Sequence, residues 1–286
     1  MTEKWVQILK EITLLQCEMR KNGSAPWFRG HSNSKWKLHS TLHRHVKRLI
    51  TEIGNNLEPK PLLREEYKSL YRGFMSSAWP LLDARERSDW GIVFSMQHYG
   101  IPTRLLDWTE SFICALYFAH LHHNPDEEAA IFVLDPAKFN KLTIDREALI
   151  QIGGDPPPTV FNAECWHPKY QHPEEDLTTI AVVPICMNPR MIAQRSMFTI
   201  SGDSFDPLEE QPGVSSAIEK IILPPGIFND VENYLALNGI DAFNFFPDNE
   251  GLRMKHEAST KKLINDAKLL YPIPAGKNYH SSLKSQ

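Results

Sequence analysis

Apolar residues near the start of the chain recur about three and four positions apart, from Trp5 through Ile8, Ile12 and Leu15 to Met19. That spacing predicts an amphipathic helix over Trp5 to Met19, ended by Asn22-Gly23-Ser24-Ala25-Pro26. Trp27 to His31 reads as a short strand, and Trp36-Lys37-Leu38 and Ser40 to Arg44 resume after a polar loop. Leu63, Tyr67, Leu70, Tyr71, Phe74 and Ala78 mark a long helix opened by Pro59 and Pro61 and closed before Pro80. A second helix is expected over Ser88 to His98, stopped by Gly100-Ile101-Pro102. Thr103 to Leu106 then suits a strand end, and Ser111 to Leu121, apolar on all sides, a buried helix.

Ala129 to Leu134 is β-branched and aromatic and ends at Asp135-Pro136, as a central strand does. Gly153 to Pro158 and His167 to Asp176 look like a surface excursion. Beyond it, Thr179 to Pro184 and Phe198 to Ser201 are strands around a turn or short helix, and Ala217 to Leu223 is a further strand. Phe228 to Asn238 suits a helix capped by Gly239, Ala242 to Phe246 a last strand, and the residues after Pro274 a disordered polar tail. Helices and short strands alternate irregularly, which implies an α+β fold with a mixed or split β-sheet flanked by helices.

At 286 residues and 42% hydrophobic, the chain can bury a real core. Its formal charge of −4 gives no general attraction to nucleic acid or anionic lipid, while leaving room for a local basic patch. Cys17, Cys114, Cys165 and Cys186 are far apart without a Cys-x-x-Cys pair, as in reduced cytosolic proteins. With no signal-peptide pattern and no apolar run of membrane-spanning length, a cytoplasmic protein that does not enter membranes is expected.

The densest chemistry lies in Gln97-His98-Tyr99-Gly100-Ile101-Pro102-Thr103-Arg104-Leu105-Leu106-Asp107-Trp108-Thr109, which joins a guanidinium, a carboxylate, hydroxyls and two aromatic rings where a core segment would be aliphatic. Arg29 is the other residue to watch, either as a ligand for phosphate or as a structural partner of Asp107. Arg104 divides equally between a phosphate contact and an internal salt bridge. His120-x-His122-His123 does not share one helix face, so no metal site is assigned.

Trp27-Phe28-Arg29-Gly30-His31-Ser32, Trp36-x-Leu38, the block from Gln97 to Thr109, Ala115-Leu116-Tyr117-Phe118-Ala119 and the segment Asn188 to Thr199 together resemble the FRG domain, named for Phe-Arg-Gly. The resemblance spans about residues 25–255, leaving 1–24 as an N-terminal helix packed on the domain and 256–286 as a C-terminal segment with a polar tail. FRG domains often occur beside phage-defence genes, which implies a toxin or effector role. The order of an early strand Arg, a Thr-containing strand running into a helix, and a strand ending Asp-Pro is also similar to ADP-ribosyltransferase-like domains. That likeness implies NAD as ligand or substrate, with a protein or nucleic-acid acceptor. Arg29, Thr103 and Gln194, with His98 and Asp107, then become the expected catalytic set, and Arg29, His31, Tyr99, Arg104, Trp108 and Thr109 the cofactor-binding set. Where such transferases carry a Glu, this chain has Gln194-Arg195-Ser196; Asp107 or Glu110 is the substitute carboxylate, or the domain is a non-catalytic module binding a nucleotide signal or a partner.

Overall fold

The computed structural model describes residues 1–54, 58–153, 163–171 and 176–270, and the chain divides into a unit of residues 1–238 and a second beginning at Gly239. In the first unit the strands are β1 (Trp27–His31), β2 (Leu105–Thr109), β3 (Ala129–Leu134), β4 (Ile150–Ile152), β5 (Ile180–Pro184), β6 (Ser196–Ile200) and β7 (Ile218–Leu223). The helices are α1 (Glu3–Lys21), α2 (Thr41–Ile53), α3 (Pro59–Ala78), α4 (Asp89–His98), α5 (Phe112–His120), α6 (Pro136–Ile144), α7 (Pro189–Ala193) and α8 (Phe228–Leu237). The strands form one open sheet in the order β4-β5-β6-β2-β1-β3-β7, parallel between β4 and β5 and antiparallel elsewhere. This is the α+β architecture with a mixed, helix-flanked sheet that the sequence pattern implies. No helix among the described residues is long and apolar enough to cross a membrane.

The period-2 alternation of the strands feeds two cores. Leu105, Ile180, Val182, Phe198 and Ile200 pack with Leu42, Val46, Leu63, Tyr67, Ile92 and Met96 from α2, α3 and α4. Trp27, Leu106, Trp108, Phe132 and Leu134 pack with Leu38, Phe139 of α6, and Leu208. Helix α5 lies against β1, where Phe28 meets Phe112 edge to face at 5.8 Å. Gly30 permits that approach: a Cβ there would stand 1.8 Å from the Ala115 carbonyl oxygen and 2.7 Å from the Ala119 nitrogen. Both obstacles are backbone, so nothing can yield by a rotamer change.

One polar network is sunk in the first of these cores. Arg104 is wholly buried and donates to the carbonyls of Ser201 and Gly202 and to Asp203 Oδ1 at 3.0 Å. Arg64 Nη2 reaches Asp203 Oδ2 at 2.6 Å, and the Leu177 amide donates to the same oxygen at 3.0 Å. Burial by itself would raise the Asp203 pKa, but the hydrogen bond from Arg64 and the charge of Arg104 outweigh it and hold the carboxylate below its ordinary range.

Two expectations change, and three helices are added. Ala242–Phe245 is a short helix (α9), not a strand: Asp241 accepts from the Phe243 amide and Asn244 bonds back to the Asp241 amide, a reciprocal cap that fixes helical geometry. In the same unit Asn249–Leu270 forms α10. Helices α2 and α6 were unread in the sequence, although Ser40 caps α2 by accepting from the His43 amide and Asp135 caps α6 by accepting from Lys138. His167 is buried rather than part of a surface excursion; its Nε2 faces the Asp89 carbonyl at 3.1 Å, and its ring packs edge-on against Tyr71 and Trp90. Residues 154–158 and 172–175 of that excursion, and the expected tail after Pro274, lie outside the described residues.

Two substitutions test this packing. Gly30→Ala should lower unfolding free energy by about 1–3 kcal/mol, the usual cost of overpacking, in a urea titration. Asp203→Ala should cost about 3–5 kcal/mol by stranding Arg104 and Arg64 without their carboxylate; an unchanged urea midpoint would show that the network does not stabilise the fold.

Candidate functional site

Among the described residues β1 and β2 share a single registered pair, Phe28 with Thr109, whereas β1 follows β3 from Trp27 to His31 and β2 follows β6 from Leu105 to Thr109. Past that pair the two central strands part. A backbone acceptor in the gap is taken up by a side chain instead: Arg29 Nη1 donates to the Asp107 carbonyl at 2.6 Å. Opening from this gap is a cleft of about 750 Å³, a size suited to a small organic ligand.

The cleft has two kinds of wall. Phe28, Ala115, Phe118 and Leu121 make an apolar side from β1, α5 and the turn after it. The other side carries Arg29, Lys37, Arg44 and Arg190, with Asp107 the one carboxylate in the lining. Lys37 is paired with Glu210, so the excess positive charge rests on Arg29, Arg44 and Arg190 against Asp107; on a chain of net charge −4 this favours an anionic ligand.

A chain of hydrogen bonds sets the polar wall. Thr103 Oγ1 accepts from the Leu105 amide at 3.1 Å, so its single proton goes to Gln97 Oε1 at 2.6 Å. That contact fixes the Gln97 amide and turns its Nε2 toward Asp107 Oδ2 at 2.8 Å. Arg29 Nη1 lies 3.7 Å from the same carboxylate oxygen, and Arg29 Nε donates to His31 Nε2 at 2.9 Å. His31 must therefore carry its proton on Nδ1, which faces the Trp36 carbonyl at 3.3 Å. Burial, and then the positive charge of Arg29, push the His31 pKa down to about 3, so the ring is neutral and acts as an acceptor. Burial also lowers the Arg29 pKa, partly opposed by Asp107; the guanidinium stays charged, and the side chain, which lines the cleft, remains 21% exposed.

Of the residues singled out from the sequence, the fold brings Arg29, His31, Asp107, Trp108, Thr109 and Gln194 to this cleft. Segments far apart in the chain thus converge. Thr103 is not in the lining; it stands behind Gln97 as a brace. Arg104 is likewise absent, because its guanidinium is committed to Asp203 in the buried network, and the phosphate contact considered for it does not fit that position. His98 and Tyr99 also lie outside the lining: they follow Gln97 at the end of α4, where adjacent positions face different ways, and Tyr99 is 63% exposed with its ring against His98 and Phe74.

Trp108 borders the cleft, yet it is 2% exposed and its indole donates to Thr199 Oγ1 at 3.1 Å, so it offers no open ring face. The Thr109 hydroxyl accepts from the Ser111 amide and donates to the Gln194 carbonyl at 2.6 Å, joining the start of α5 to the end of α7. Sequence reasoning missed Gln97 as the cleft-facing neighbour of His98, and missed Lys37, Arg44 and Arg190. The usable signal for Arg44 is Ser40, an N-cap residue whose helix α2 places Arg44 in its first turn.

With this geometry in hand, comparison with known families gives one finding: residues 24–128 match the FRG domain. The FRG identification made from the sequence holds over that span, which runs from β1 to just beyond α5 and contains Arg29, His31, Gln97 and Asp107 but neither Arg190 nor Gln194. Neither the curated proteins nor the solved structures return a match.

The protonation pattern is testable through stability. Burial lowers His31 and His43 to about 3 and His167 to about 4, against an unfolded value near 6.5, so between those limits the unfolded chain binds more protons than the folded one. Unfolding free energy should therefore fall as pH drops below about 6.5, by up to about 1.4 kcal/mol per pH unit for each such histidine. His31→Gln, which keeps an acceptor for Arg29, should flatten that slope in urea titrations run from pH 7 to 4.5.

Proposed function

We propose that the cleft between β1 and β2 binds a phosphate-bearing nucleotide, NAD in the first place, and that the protein is an NAD-using effector of ADP-ribosyltransferase-like type, in keeping with a toxin role in antiviral defence. The observation that carries this reading is the composition of the lining: three arginines, with Lys37 paired to Glu210 beside them, and a mixed apolar and aromatic wall around one carboxylate. Guanidinium groups offer forked donors that match phosphate oxygens, so Arg29 and Arg44 suit a pyrophosphate.

The chemistry would centre on Asp107. In NAD cleavage the bond from ribose C1′ to the nicotinamide nitrogen breaks, its electron pair leaves with neutral nicotinamide, and positive charge builds on the ribose ring. A carboxylate held close to that charge lowers the barrier. Water or an acceptor hydroxyl then bonds to C1′ and releases its proton. Gln194, in the same lining, supplies an amide to orient a ribose hydroxyl but no charge, which leaves the electrostatic role to Asp107.

A second reading has its own observation. Asp107 is already engaged by Gln97 and Arg29, and the lining contains no glutamate, which favours a module that binds the nucleotide without turning it over. Calorimetric titration with NAD together with chromatography of released nicotinamide separates the two. For the enzyme, Asp107→Asn should retain binding and lose about 100-fold or more in release rate, while Arg29→Lys should weaken binding about tenfold. Binding without release supports the module, and a wild-type protein that binds no NAD sinks both.

A further inference from the structure

Trp36 is 56% exposed and borders the cleft, whereas Trp5, Trp27 and Trp108 are buried and the other exposed indole, Trp79 at 45%, lies outside the cleft lining. Isolated exposed apolar side chains are common on protein surfaces, so exposure alone assigns nothing. Two further facts do: Trp36 lines the cleft, and its loop is rigidly held.

The restraints come from both sides of the residue. Ser34 N donates to the Glu128 carbonyl at 2.7 Å, Lys35 N to Asn33 Oδ1 at 2.9 Å, and Trp36 N to the Asn33 carbonyl at 3.2 Å. The Trp36 carbonyl receives the proton of His31 Nδ1, and the Leu38 amide donates to Glu209 Oε2 at 3.1 Å. The indole also meets the His31 ring edge to face at 6.1 Å. A large ring is thus presented to the cleft by a loop whose ordering cost has already been met in folding, the condition under which stacking contributes most to affinity.

Position along the wall decides what would stack there. The hydrogen-bond chain runs Asp107, Arg29, His31, Trp36, which separates the carboxylate from the indole by a guanidinium and a neutral imidazole. The two bases of NAD differ in charge: nicotinamide is cationic and adenine neutral. The cationic ring belongs at the Asp107 end, the pyrophosphate at Arg29 and Arg44, and the neutral purine at the far end, beside Lys37 and Trp36. Resting on the nucleotide reading above, we infer that Trp36 is the adenine-stacking platform of the cleft.

The test compares ligands and variants by calorimetry. Trp36→Ala should weaken binding of NAD and of AMP about tenfold or more, the usual worth of one base stacked on an aromatic side chain, while nicotinamide mononucleotide binding stays within about twofold of wild type. Trp36→Phe should recover most of the loss. Because the side chain is surface-exposed, both variants should keep the wild-type melting temperature, and this is checked first. If wild-type protein binds NAD and Trp36→Ala binds it equally well, the stacking role is wrong and the nucleotide site stands. If Trp36→Ala loses nicotinamide mononucleotide but keeps AMP, the ligand lies in the reverse orientation and the inference is overturned. If wild-type protein binds none of the three, the nucleotide reading itself falls and this role falls with it.

Discussion

The site depends on one interruption in an otherwise continuous sheet. Strands β1 and β2 are neighbours in the middle of seven, yet they pair at Phe28 and Thr109 and then separate. Buried backbone polar groups need partners, so a gap at the centre of a sheet is stable only if something else satisfies them. Arg29 does this from within the gap by bonding the Asp107 carbonyl through Nη1 and His31 through Nε, while the side chain lines the cleft. The same side chain therefore closes the structure and lines the opening, which is why the structural and the ligand-binding readings of Arg29 are compatible.

Two arginines, Arg29 in the middle of β1 and Arg104 just before β2, show how environment assigns role. Arg104 is fully buried, matched by Asp203 and by two carbonyls, and shares that carboxylate with Arg64. Its charge is spent inside the fold. Arg29 has a longer, 3.7 Å contact with a half-exposed carboxylate and retains access to solvent. A guanidinium with unspent donors beside open volume is available to a ligand, and one neutralised within a core is not.

The polar wall of the cleft is a chain that crosses several elements. Thr41 at the start of α2 accepts from the Thr103 amide, Thr103 fixes Gln97 at the end of α4, Gln97 holds Asp107 on β2, and Arg29 and His31 on β1 carry the sequence of bonds to the Trp36 loop. Each donor and acceptor has one consistent assignment, so the amide of Gln97 and the tautomer of His31 are fixed by their neighbours. Such mutually satisfied networks are rigid, and rigidity is what positions a carboxylate for chemistry or a ring for stacking.

Hydrophobic periodicity was sufficient to locate α1, α3, α4, α5, β1, β3 and β7 and to assign the α+β class, because each of these buries one face or is enclosed on all sides. The unusual block around Gln97 to Thr109, with Phe28-Arg29-Gly30, marked the FRG domain for a similar local reason: Gly30 is demanded by α5, and Gln97, Thr103 and Asp107 by one another. Helix α9 was misread because a four-residue element is decided by its Asp241 cap and not by its apolar pattern. What the chain alone could not reveal was which way each polar side chain points. Arg104 and Arg29 look alike in sequence, as do His98 and Gln97; only tertiary contacts separate them, since Asp203 holds Arg104 in the core, the Asp107 carbonyl on the neighbouring strand draws Arg29 to the cleft, and Thr103 and Asp107 orient Gln97 there.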